Sequence, residues 1–318
     1  MSGGRHSLTT TPEEQGVSAA HEGDVPENVG DPGRAATAVI PLPDERFPHH
    51  PEIIASGVRI GESLDLRAAS IRGLSHRYYG KVRQDHYAFR STADSQWLVA
   101  SVADGVSAAP WSHVAAELVT QRGCDELCAA LTKTPPEKID WHSVIGVLSD
   151  AVRDAVTRSG AEPEDASATM ATTGLFAIIE TRPDDTGRRM VHLASVGDSS
   201  AWLLRTEPSF TWSPLQAVKN DGAVVASSAT DAIPVTGRHS LLTREFTLAP
   251  EEVLVLMTDG VGDPLGSGQG DVGRFLAERW AAPPHPLHFA AQVDFSRRTF
   301  DDDRTALAIW PVPDAGNP

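Results

Sequence analysis

Cysteine is nearly absent: Cys124 and Cys128 are the only two in 318 residues. A disulfide framework is therefore excluded, which fits a reducing compartment. On a helix, thiols four residues apart share one face. Two small buried side chains are the preferred reading, ahead of half a metal site or a redox pair. Long apolar runs are missing too, and none approaches the ~18 residues of a membrane span. The opening stretch MSGGRHSLTTTPEEQG has neither a basic start nor an apolar core, so no secretory signal is expected there. Positive charge is scarce, with 27 Lys and Arg against 43 Asp and Glu and a formal net charge of −16. That argues against a nucleic-acid or anionic-membrane surface. It leaves phosphorylated substrates open, because bound cations reverse the field inside an acidic site. A cytoplasmic protein is the expectation.

What is present is a core: 40% of the residues are hydrophobic, enough for one large domain or two small ones. Residues 1–55 differ from the rest. They are rich in Gly, Pro, Glu and Asp, and Phe47 is their only aromatic. Such a segment has too little apolar surface to offset its ordering entropy, so a disordered acidic tail is expected over 1–55 and a folded domain over 56–314. Buried strands are expected at 97–103, 173–180, 190–197, 201–205, 252–258 and 304–310. Helices are expected at 112–132, 136–160 and 271–281. Residues 206–240, polar and punctuated by Pro and Gly, read as a surface flap. Two adjacent long helices among strands with short links do not alternate as a doubly wound fold requires. The pattern favours sheet packed on sheet with helices outside.

Two apolar runs end alike, in WLVASVADGV (97–106) and EVLVLMTDGV (252–261). A buried strand that ends in Asp-Gly sets a carboxylate on a rigid rim, and the glycine lets the backbone turn and approach a ligand. Rim carboxylates recur at Asp85, Asp104, Asp259 and the pair Asp302 and Asp303. Any single Asp-Gly is more often a plain turn; the argument rests on their recurrence beside strands. Gathered carboxylates repel one another. Hard oxygen ligands without His or Cys suit Mg²⁺ or Mn²⁺.

The ordered set GLSHRYYGKVRQDHYAF, VASVADGVSAAPWSHVAAELV, ATMATTGLFAII, LASVGDSSAWLL, VLMTDGVGD and DDDRTALAIW resembles the type-2C metal-dependent Ser/Thr protein phosphatases, in particular their bacterial branch. The resemblance spans about residues 70–312 and rests on order and spacing, not on any one motif. It implies an α+β, four-layer αββα sandwich with two central antiparallel sheets. It also implies hydrolysis of phosphoserine and phosphothreonine in proteins by a water bridging two Mg²⁺ or Mn²⁺ ions, and hence a phosphoprotein partner made by a Ser/Thr kinase. By the same resemblance Asp104 bridges both ions, the Gly105 carbonyl contacts one, and Asp259 and Asp302 hold the other. Asp85 orients the water. Asp303 stands where many relatives carry Asn, behind the ligands. Asp198, Thr172 and Thr173 match structural positions. No nucleophilic Ser or Cys is expected.

This chain departs from that pattern at four points. Gln84 replaces a Glu beside Asp85. Gly80 stands where better-known members carry the phosphate-binding Arg; Arg77 and Arg83 are the alternatives, with Arg83 preferred for its bidentate chemistry and a plain surface arginine the competing reading. Val106 replaces a His proposed elsewhere as general acid. His76, the nearby His, is read as a structural hydrogen-bonding group. Ala168 stands where a third-metal Asp is usual, with Asp165 out of register, so a third ion is not expected. Two rival functions follow: a catalytically weak regulatory or binding module on the same fold, and a phosphatase for small phosphoesters.

Overall fold

The computed structural model describes residues 27–31, 50–61, 63–216, 231–234 and 241–312. Most of the expected tail, and residues 217–230 and 235–240 of the expected flap, lie outside these. Numbering elements along the chain, one antiparallel sheet runs β1 (Ile53–Ile60), β2 (Leu64–Ile71), β11 (Arg304–Pro311), β10 (Glu252–Met257), β7 (Ser200–Arg205), β8 (Thr211–Pro214). The other runs β3 (His86–Ser91), β4 (Trp97–Ala103), β5 (Gly174–Glu180), β6 (Arg189–Val196), β9 (Leu241–Leu248). Helices α2 (Ser112–Leu131) and α3 (Trp141–Arg158) cover the second sheet. Helices α5 (Asp259–Leu265), α6 (Asp271–Arg279) and α7 (Pro286–Val293) cover the first. Two short helices, α1 (Leu74–Tyr79) and α4 (Ala166–Thr169), sit in connections. This is the four-layer αββα sandwich.

Side chains alternate across each central strand, because successive residues point to opposite faces. Leu254, Leu256, Leu307 and Ile309 meet Leu98, Ala100, Leu175 and Ile179 between the sheets. Val255, Met257, Ala308 and Trp310 turn outward onto α6 and α7, among Phe275, Leu276 and Phe289. On the far side Val99, Phe176 and Ile178 meet Val119, Leu127, Leu148 and Val152 of α2 and α3. With both faces covered, the strands need apolar residues at every position, which is why they read as unbroken runs. The buried tryptophans still find acceptors: Trp310 Nε1 donates to the Trp280 carbonyl at 2.8 Å and Trp212 Nε1 to that of Gly273 at 2.9 Å.

Two local expectations change. Pro136 opens a separate 3₁₀ turn, and α3 starts only at Trp141, where the Asp140 side chain accepts from the Ser143 N–H at 3.2 Å. Asp259-Gly260 is not a turn but the first turn of α5, where a carboxylate suits the positive end of the helix.

Residues 27–31, inside the stretch expected as tail, pack on the domain. The Val29 N–H donates to the Ser296 carbonyl at 3.1 Å, and the Ser296 N–H to that of Glu27 at 3.0 Å. Val29 is buried with Phe295. Glu27 pairs with Arg279 at 2.7 Å and Asp31 with Arg298 at 3.0 Å. His50 Nε2 lies 2.9 Å from the Arg83 carbonyl, and Glu52 pairs with Arg72 at 2.6 Å just before β1.

Candidate active site

Register brings the acidic segments to one pole. His86 opens β3 opposite Ala103, the last residue of β4, so Asp85 and Asp104 leave the second sheet together. Met257 ends β10 opposite Ala306, near the start of β11, so Asp259 and the Asp302–Asp303 pair leave the first sheet at the same end. β2 ends there too, with Ile71 opposite Arg304, and hands the chain to α1.

The two sheets are tied at this pole by hydrogen bonds. Thr258 Oγ1 donates to Asp85 Oδ2 at 2.7 Å. Thr258 Oγ1 also accepts from the Thr305 N–H at 3.1 Å. The backbone of Asp104 is clamped on both sides. Its carbonyl accepts from Thr172 Oγ1 at 2.7 Å and the Thr173 N–H at 2.8 Å, and its N–H donates to Thr173 Oγ1 at 2.9 Å. Thr173 Oγ1 in turn lies 2.7 Å from Ser199 Oγ. The two threonines thus fix where Asp104 projects. Gly105 bridges to Thr172.

Asp303 gathers the loops. Its Oδ1 accepts from the Gly73 N–H at 2.6 Å and lies 2.9 Å from His76 Nδ1; its Oδ2 accepts from the Gln84 N–H. Burial alone would raise its pKa, but the His76 contact and charge and the two N–H groups bring it below the usual carboxylate range. His76 is also buried, which disfavours its charge, yet Asp303 and then Asp302 raise it. Its ring stands beside Asp302 and Asp303, with one ligand atom of each of the three within 4.8 Å of the others. At Gly260 a Cβ would fall 1.8 Å from the Asp303 carbonyl oxygen, so only glycine lets α5 approach this loop.

The other carboxylates titrate the opposite way. Burial and then Asp303 push Asp85 well up; burial and then Asp85 and Asp259 do the same to Asp104. Asp259 is raised to about 6 by burial, with the charges of Asp198, Asp302 and Asp263 adding to it against a hydrogen bond from Asp104. Asp302 is raised by burial and Asp303. Among the described residues no Lys or Arg pairs with Asp85, Asp104, Asp259 or Asp302, and the buried Asp259 Oδ1 has no hydrogen-bond partner. An orphaned oxygen amid uncompensated oxygen donors fits a hard divalent cation.

Arg83 does not fit its expected role. It is 1% exposed. Its guanidinium donates to Ser70 Oγ at 2.8 Å and to the carbonyls of Pro51 and Asp85. It braces the pole from inside, because those three partners outcompete solvent for a planar fork. Gln84 is buried behind Asp303 as well. Two contributors were not singled out as site residues in the sequence: Thr258, which orients Asp85, and Asp198, whose charge reaches Asp259. Their signal was position alone: Thr258 directly before Asp259, and Asp198 past Gly197 just after β6 ends.

A family model described as protein phosphatase 2C matches residues 72–287, two thirds of the chain. Among curated proteins none matches the chain in sequence. Similar solved structures include a bacterial serine phosphatase, with TM-score 0.56 and 14% identity over 79% of this chain and 99% of that one. PppA, a key regulatory component of T6SS in Pseudomonas aeruginosa, has TM-score 0.52 and 15% identity over 81% and 100%. RsbX in complex with magnesium has TM-score 0.50 and 12% identity over 81% and 100%. At these identities the structural likeness establishes the fold.

Proposed function

The chain belongs to the protein phosphatase 2C family, and on that footing we propose that it hydrolyses phosphoserine and phosphothreonine in proteins with two Mg²⁺ or Mn²⁺ ions. The observation that carries this reading is the pole itself: partly exposed Asp104, Asp259 and Asp302 above buried Asp85, all raised in pKa, with no Lys or Arg ion-paired to their carboxylates among the described residues. Asp104, Asp259, Asp302 and the Gly105 carbonyl would hold the ions. When bound, the ions supply Lewis acidity, drawing charge from phosphoryl oxygens and acidifying water.

The chain's own residues supply the rest. Thr258 takes one oxygen of Asp85 and leaves Oδ1 to orient a water and hold its proton. Thr172 and Thr173 keep Asp104 from recoiling from its neighbours. Asp303 locks the turn after β2 to the start of β11, so Asp302 faces the opening. No thiolate competes as nucleophile: Cys124 is on the buried face of α2 and pushed far up by burial, and Cys128 is also raised. Among the described residues no helix is long and apolar enough to cross a membrane. A Ser/Thr kinase would supply the substrate.

Hydrolysis of p-nitrophenyl phosphate and a phosphothreonine peptide, each with Mn²⁺, Mg²⁺ or EDTA, tests the reading. Cation-dependent release of phosphate from both is expected. A folded protein that binds Mn²⁺ and turns over neither would favour a regulatory module on the same fold. Turnover of the small ester alone would favour a small-molecule phosphatase.

A further inference from the structure

A phosphate dianion entering a carboxylate-lined pole is held more firmly where a positively charged side chain joins the bound cations. Four arginines surround this pole, and all face inward. Arg72 is buried on Glu52 and donates to the His76 carbonyl at 2.9 Å. Arg77 is buried, its Nη2 donating to Asp294 Oδ1 at 2.9 Å. Arg83 is engaged by Ser70 and two carbonyls. Arg304 is buried over the Phe295 ring and donates to the Phe300 carbonyl. To turn outward, Arg72 and Arg83 would leave buried acceptors unpaired, and Arg77 and Arg304 would give up part-buried ones.

One cation on the same segment is placed differently. Gly80 ends α1 in the left-handed region, at φ 67°, which only glycine adopts freely. The chain reverses there, and the Lys81 N–H closes the turn on the His76 carbonyl at 2.9 Å. Lys81 is exposed. That turn holds it on His76, whose Nδ1 lies 2.9 Å from Asp303 Oδ1, next to Asp302. Among the described residues no carboxylate pairs with it. Directly before the turn, Tyr78 and Tyr79 are 56% and 70% exposed, their rings edge to face at 5.0 Å. Large aromatics left in solvent beside a free ammonium group have the character of a recognition lip.

We propose that Lys81 binds the substrate phosphate, taking the part that no arginine of this pole can play, and that Tyr78 and Tyr79 receive the chain flanking the phosphorylated residue. The assignment rests on the phosphatase reading and extends it to the recognition of phosphopeptides. A lysine contacts phosphate as a compact point charge and not as a bidentate fork, so it needs no fixed plane behind it. That suits a residue on an exposed turn.

The test compares Lys81→Met and Lys81→Arg with wild type in Mn²⁺. For Lys81→Met, kcat/KM on both esters should fall about 10–100-fold, and the inhibition constant of inorganic phosphate should rise in step. Mn²⁺ affinity, read by paramagnetic resonance, should stay at the wild-type value, and Lys81→Arg should restore most of the loss. A Tyr78→Ala, Tyr79→Ala double variant should lower the ratio of peptide to p-nitrophenyl phosphate turnover. Wild-type turnover with Lys81→Met unchanged in kcat/KM and phosphate inhibition would overturn the assignment while leaving the phosphatase reading intact. Should wild type turn over neither ester, that reading fails, and calorimetric titration of inorganic phosphate into Mn²⁺-loaded protein still decides the role of Lys81. Binding lost in Lys81→Met supports it, and equal binding overturns it.

Discussion

His76 Nδ1 stands 2.9 Å from Asp303 Oδ1, with both side chains buried. The pair shifts in opposite directions, His76 up and Asp303 down. Asp303 therefore contributes stability above its unfolded pKa, and His76 contributes below its own and loses that contribution as pH rises through its raised folded value. His76→Asn should cost about 1–3 kcal/mol by leaving part of a buried carboxylate unpaired. The gap in melting temperature to wild type should be widest near about pH 6 and narrow toward about pH 9. A gap that does not change with pH would mean that the imidazole acts in its neutral form.

Asp104→Asn separates chemistry from folding. Asp104 sits among like charges that raise it, so removing its charge relieves repulsion in the metal-free protein. Cation-dependent hydrolysis should fall by about 100-fold or more, while melting in EDTA at neutral pH stays level or rises. A clear drop in that melting temperature would instead assign Asp104 to holding the fold.

Protons and cations should compete at the pole. Asp85, Asp104 and Asp259 hold protons more tightly folded than unfolded, with Asp259 at about 6. Their charging as pH rises weakens the metal-free fold. Buried His86 and His113, lowered to about 3 and about 4, contribute the opposite slope, so the metal-free curve alone is mixed. The rise in melting temperature on adding Mn²⁺ isolates the carboxylates, and it should grow from about pH 5 to about pH 7.5. A constant rise would argue against carboxylate ligands with raised pKa values.

Gly260→Ala introduces a methyl group 1.8 Å from a backbone oxygen of Asp303, which cannot swing aside as a side-chain tip would. Destabilisation of about 1–3 kcal/mol is expected, together with weaker Mn²⁺ binding as α5 parts from the Asp302 loop. Wild-type melting and wild-type affinity in this variant would show that the loop yields freely.

Strands β4, β10 and β11 were legible because each is buried on both faces, so hydrophobicity alone marks them. β1 and β9 were not. β1 alternates half-buried with exposed positions around Gly57, and β9 carries Thr243, Arg244 and Glu245 in solvent. Their place is set by pairing with β2 and β6, which no local pattern contains. The same limit governs the site. Asp85, Asp104, Asp259 and Asp302 were readable because a carboxylate at a strand end marks itself. The direction of Arg83 was not, because its partners Pro51 and Ser70 come from elsewhere in the chain. His76 was read as structural from its motif alone; its contact with Asp303 comes from the far end of the chain and was not legible.

Anchorage at both Val29 and His50 has a consequence for cleavage. Residues 27–31 and His50 rest on the same domain and belong to one chain, so 27–31 are held there at high effective concentration. Their own grip is modest: one buried valine, worth about 1.5–3 kcal/mol, a few hydrogen bonds to Ser296, Arg297 and Arg298, and ion pairs at exposed side chains that add little. A single proteolytic nick between 32 and 49 would turn that segment into a weak ligand of its own domain. It should then separate on gel filtration, uncovering Phe295 and the loop that leads to Asp302.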